Sequence, residues 1–153
     1  MTTAQSAFEP QAVATRSRTT TLRRATTVAR FLLGTVFFVF GLNGFLNFIP
    51  QPPPAKIPAG AAAFGAALLH TGYLFQLLKG TEVIAGVALL ANRWVPLALA
   101  ILAPIVINIF AFHAFLAPGE IGVAIVVLAL ELYLAWAYRA AFKPMLNAHT
   151  TLA

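Results

Sequence analysis

Apolar residues in this chain come in long runs rather than in alternating stripes. The first run extends from Val28 to Ile49 and stops at Pro50. It has no acidic residue and is long enough to cross a bilayer as a helix. Residues 50–58 follow as a Pro-rich, polyproline-like loop, because proline cannot continue a helix. A later run covers Val95 to about Leu116, with Pro96 in its first turn and Pro104 near its middle. Pro104 is expected to free the carbonyl of Ala100 and kink that helix. Ala117-Pro118-Gly119-Glu120 reads as a short turn, and the last run goes from Ile121 to about Tyr138. Tyr133, Trp136 and Tyr138 suit an interfacial aromatic belt at its end.

The segment between the first two of these runs admits two parses. In one, Ala59–Leu78 spans and the nine residues Val83–Ala91 do not. In the other, Ala59–Thr71 is a short helix at the interface, and Gly72–Ala91 spans with Lys79 and Glu82 inside it. Charge placement favours the second. Four spans put both termini on one side, which then collects Arg16, Arg18, Arg23, Arg24, Arg30, Arg93, Arg139 and Lys143. The opposite side has Lys56 alone, a strong positive-inside bias. The expectation is an all-α, four-helix transmembrane bundle with a short extra interfacial helix between spans 1 and 2. Both termini would be cytoplasmic. Residues 1–24 are expected as a disordered basic tail, 25–146 as the membrane domain and 147–153 as a second tail.

Composition agrees with a membrane protein. Of 153 residues, 60% are hydrophobic and 9% charged. A soluble domain carries about 25% charged residues. The net charge of +6 comes mostly from arginines before or flanking the runs, where cations set topology and meet anionic membrane lipids. No basic face interleaved with aromatics exists, so nucleic acid is not an expected partner. With no cysteine, thiolate catalysis, disulfides and cysteine-held clusters are excluded.

Several short motifs resemble the DoxX family of small bacterial membrane proteins. They are Phe40-Gly41-Leu42-Asn43-Gly44-Phe45, Thr71-Gly72-Tyr73-Leu74-Phe75, Lys79-Gly80-Thr81-Glu82-Val83-Ile84-Ala85-Gly86, Leu89-Leu90-Ala91-Asn92-Arg93 and Leu130-Glu131-Leu132-Tyr133-Leu134-Ala135-Trp136. The likeness covers roughly residues 30–146. It implies a four-helix protein of the bacterial inner membrane. Some relatives are named as subunits of a thiosulfate:quinone oxidoreductase, and others are linked to membrane redox complexes. The expected role is therefore an accessory or quinone-interacting subunit beside other redox subunits, with quinone as the cofactor class. The missing cysteines argue against direct thiosulfate or disulfide chemistry, and no self-sufficient catalytic motif is present.

Polar residues inside the runs are the candidate chemistry, because a charge near mid-bilayer costs about 3 kcal/mol. Counted from the outer span ends at about 1.5 Å per residue, Asn43, Lys79, Asn108, Glu82 and Glu131 lie about 9 to 16 Å deep. Each span thus offers a polar group at similar depth, which points to one buried cluster. Asn47, His70 and His113 would form its outer mouth. Lys79 and Glu82, at i and i+3, can pair on one helix face. One lysine cannot neutralise two carboxylates, so one glutamate is expected to hold a proton.

Three readings of the cluster stay open. It could be a packing network, with Glu131 bonded to Asn43 or Asn108; a quinone or small-ligand site; or an ion or proton path, as in a small-solute carrier. Facing histidines can hold a metal or haem, but His70 and His113 fall near the surface, so no metal site is assigned. Phe37, Phe38, Phe40, Phe45 and Phe48 are expected to face lipid or to pack. Gly34, Gly41 and Gly44 permit close helix approach. No GxxxG motif is present, which leaves homo-oligomerisation open.

Overall fold

A computed structural model of the protein describes residues 9–50, 53 and 56–147, with side chains from Thr20 onward. The expected tail segments 1–8 and 148–153 lie outside the described residues, as do loop residues 51–52 and 54–55. The described elements are all helical: α1 (Glu9–Leu46), α2 (Ala59–His70), α3 (Leu74–Leu90), α4 (Val95–Phe115), α5 (Ile121–Ala137) and the one-turn α6 (Arg139–Phe142). Short 3-10 turns cover Pro118–Glu120 and Lys143–Leu146.

Helix α1 begins well before Val28, at Glu9. No glycine or proline lies between Gln11 and Leu33, and Ala, Gln, Arg and Leu in that stretch favour helix. Pro10 occupies the first turn, where it is tolerated. The same helix ends at Leu46, three residues before Ile49. Asn47 takes a left-handed φ of 49° there, and its N–H reaches the carbonyl of Asn43 at 2.9 Å.

The chain breaks between α2 and α3 at Thr71–Tyr73. Gly72 has φ 77°, a conformation that costs an L side chain. The Thr71 hydroxyl donates to Leu68 O at 2.8 Å and accepts from the Leu74 N–H at 3.0 Å, tying off both helix ends. The two helices meet at 94°. This is the boundary of the second parse, not of an unbroken Ala59–Leu78 span. Helix α4 runs through Pro104 without a break.

Three segments are long and apolar enough to cross a membrane: Thr20–Leu46, Val95–Phe115 and Pro118–Ala137. The bent α2–α3 pair makes up to four. Helix α3 alone has 17 residues, about 25 Å of rise. Outward positions are as apolar as inward ones, with Ile84 73%, Ile107 63% and Val123 61% exposed. Helices that are hydrophobic all round, with the outer side uncovered, suit lipid rather than water.

Helices α1, α3, α4 and α5 form a ring in that order, α5 closing back onto α1. The α1–α3 seam is the most extensive, and the two helices run antiparallel. A Cβ on Gly86 would lie 2.6 Å from the Phe38 backbone nitrogen, and one on Gly41 would lie 3.0 Å from Glu82 Cβ. Glycines on both helices therefore bring the backbones close. Inside the ring pack Leu33, Phe37, Leu89, Leu99, Leu102, Val106 and Leu134, all essentially buried. Helix α2 lies beside this ring and sets Phe64 against Phe112 of α4, with ring centroids 5.5 Å apart.

Candidate functional site

The α1–α3 seam carries the ion pair. Lys79 Nζ donates to Glu82 Oε2 at 2.8 Å across one turn of α3. The carboxylate end is nearly closed off, at 4% side-chain exposure, while the lysine keeps 20%. Gly44 of α1 leaves room for the lysine stem. A Cβ at position 44 would sit 2.5 Å from Lys79 Cγ. The pair is thus held by the helix it belongs to and by two glycines opposite.

Asn43 is buried, 7% exposed, at the end of α1. Its Oδ1 accepts the Ile49 N–H at 2.7 Å. The amide thereby ties the segment after α1 back to the helix, satisfying a backbone donor beyond the last turn. Its acceptor is used locally, which was not anticipated from the i, i+4 relation with Asn47.

Glu131 stands on the inward stripe of α5 with Ala124, Val127 and Leu134. It is 5% exposed. Among the described residues its Oε2 is buried and has no hydrogen-bond partner. Among the described residues no hydrogen bond joins this oxygen to Asn43 or Asn108. Asn108 is exposed on the outer surface of α4, next to the exposed Ile107. It does not join the cluster.

No hydrogen bond joins the three residues expected at the outer mouth, among the described residues. Asn47 and His70 are exposed. His113 is half-buried, and its Nδ1 lies 2.8 Å from the carbonyl of Ile109, one turn back. Among the described residues no three His, Asp or Glu side chains gather as a metal would require.

Compared with family models, curated proteins and solved structures, the chain finds no match.

One buried polar residue was missed by reading Arg30 as a flanking cation. Arg30 is 6% exposed and reaches across from α1 to the end of α3. Its Nη1 donates to the carbonyl of Leu89 and, at 3.2 Å, to that of Leu90. Those carbonyls belong to the last turn of α3, where intrahelical donors run out and a cation meets the negative end of the helix dipole. The only hint in sequence was position: Arg30 lies inside the apolar run, while the other N-terminal arginines precede it.

Nearby, the Thr26 and Tyr133 hydroxyls lie 3.2 Å apart and join α1 to α5. Tyr133 therefore packs between helices.

Proposed function

We propose that this chain is a four-span protein of the bacterial cytoplasmic membrane, of DoxX type, acting as a quinone-interacting or accessory subunit of a membrane redox system. In this reading α3 completes the bundle and α2 lies along one face. The end that gathers Arg23, Arg30, Arg93 and Arg139 faces the cytoplasm, together with both termini.

The observation that carries the functional part is the unpartnered Oε2 of Glu131. A buried carboxyl oxygen with no hydrogen-bond partner among the described residues is costly on an anion and fits the neutral acid. The acid form has one O–H to donate, and a quinone carbonyl is an acceptor. Lys79 and Glu82, already joined to each other, position the α1–α3 seam rather than meet the ligand.

The test uses the full chain in nanodiscs titrated with decylubiquinone. Glu131→Leu should weaken binding about tenfold, the loss of one well-formed hydrogen bond. Glu131→Gln should lose less, since an amide N–H still donates. Equal affinity of the leucine variant and the parent rejects the reading.

A non-enzymatic assembly subunit is the second reading. The consumption of Lys79, Glu82 and Asn43 in helix packing and local hydrogen bonding favours it. It expects no quinone binding in the parent chain and co-purification of a partner protein.

A further inference from the structure

The basic end of the bundle holds a cavity of about 580 Å³ between α1, the turn after α3 and the end of α5. Arg23, Arg30 and Arg139 line it together with Thr27, Asn92 and Tyr138, and among the described residues no acidic side chain does. We propose that this cavity binds a phosphate group, presented either by the headgroup of an anionic phospholipid or as a free anion.

The geometry supports this in three ways. First, two of the three cations are held in place. Arg30 is anchored through Nη1 to the end of α3. Arg139 donates from Nη1 to the Trp136 carbonyl at 2.9 Å, with its guanidinium 4.7 Å from the Trp136 ring centroid. A guanidinium has five N–H donors, so the anchoring bonds leave others to serve a ligand. Second, three guanidinium groups around one open space repel each other until an anion enters. Phosphate oxygens match the guanidinium fork better than a single carboxylate could satisfy all three. Third, the level is right. Trp136 and Tyr138 mark the end of an apolar span, where headgroups lie, and basic pockets between helices at that depth suit lipid phosphates.

The cavity is separate from Glu131 and from the Lys79–Glu82 pair, neither of which lines it. The proposal therefore does not depend on any quinone role.

Native mass spectrometry of the full chain, equilibrated in detergent with phosphatidylglycerol or phosphatidylcholine, tests it. One phosphatidylglycerol should remain bound, while phosphatidylcholine is lost. The double variant Arg23→Gln/Arg139→Gln should retain the anionic lipid about tenfold less. Both side chains are exposed, so its helicity and melting temperature should match the parent. Arg93→Gln, outside the cavity, should change nothing.

Inorganic phosphate at millimolar concentration separates the sources. Displacement of the lipid by phosphate supports the shared site. Phosphate binding to the parent but not to the double variant, without lipid retention, supports the free anion. Equal retention of both lipids together with no phosphate binding overturns the proposal, and so does undiminished retention in the double variant.

Discussion

Glu82 and Glu131 are buried to nearly the same degree, 3% and 5% exposed, yet only Glu82 has a cation at hydrogen-bond distance. The first sits in a seam shaped around it, with Gly41 and Gly44 admitting the pair from the facing helix. The second stands among Ala124, Val127 and Leu134 with one oxygen unserved. Two residues of one type, in helices of one length, thus differ in whether the fold has used their chemistry. A satisfied buried charge is a packing element. An unsatisfied one is a cost that some other purpose has to justify.

That contrast can be broken experimentally, and the largest effect belongs to the seam. Lys79→Met leaves Glu82 buried without its cation and should destabilise the fold by about 3 kcal/mol. The double variant Lys79→Met/Glu82→Leu should recover most of the loss. Reversible unfolding in mixed micelles measures both, and a double variant as unstable as the single one would show that the pair is not the cause.

Next in size is the glycine approach itself. Gly86→Ala places a methyl group 2.6 Å from the backbone of Phe38, which cannot swing aside as a side chain end can. The expected loss is about 2 kcal/mol. Gly80→Ala, which meets nothing within 4 Å, should be neutral or slightly stabilising in the same assay.

The smallest effect has the opposite sign. Glu131→Leu removes a buried polar atom that has no partner and should stabilise the protein by about 1 kcal/mol. Glu82→Leu, which strands Lys79, should do the reverse. Should both substitutions destabilise equally, the distinction between the two glutamates fails. Higher stability combined with weaker quinone binding in Glu131→Leu is the trade expected of a functional group.

Much of this was legible from residue order. The apolar runs located α4 and α5 to within a residue at each end, because Asn92-Arg93 and Pro118-Gly119 punctuate them. Gly72 marked the break between α2 and α3, and the i, i+3 spacing gave the Lys79–Glu82 pair.

Facing was not legible in α4. That helix is apolar on every side, so no stripe distinguished inward Val106 from outward Asn108. Counting depth along a span says how far in a residue lies, not which way it points. Asn108 shares a depth with Asn43 and Glu131, but it is exposed where they are buried. Partners from distant segments were also hidden. Nothing local tells that Arg30 reaches Leu89, or that Asn43 Oδ1 accepts from the Ile49 N–H.

The reach of Arg30 has a consequence in time. Its acceptors lie some sixty residues later in the chain. A nascent first helix therefore emerges with a guanidinium in its apolar stretch and nothing to hold it. In the folded chain it is the end of α3 that covers this guanidinium and supplies its acceptors. The burial of a cation in the first helix is thus a property of two helices, and it exists only once the second has packed against the first.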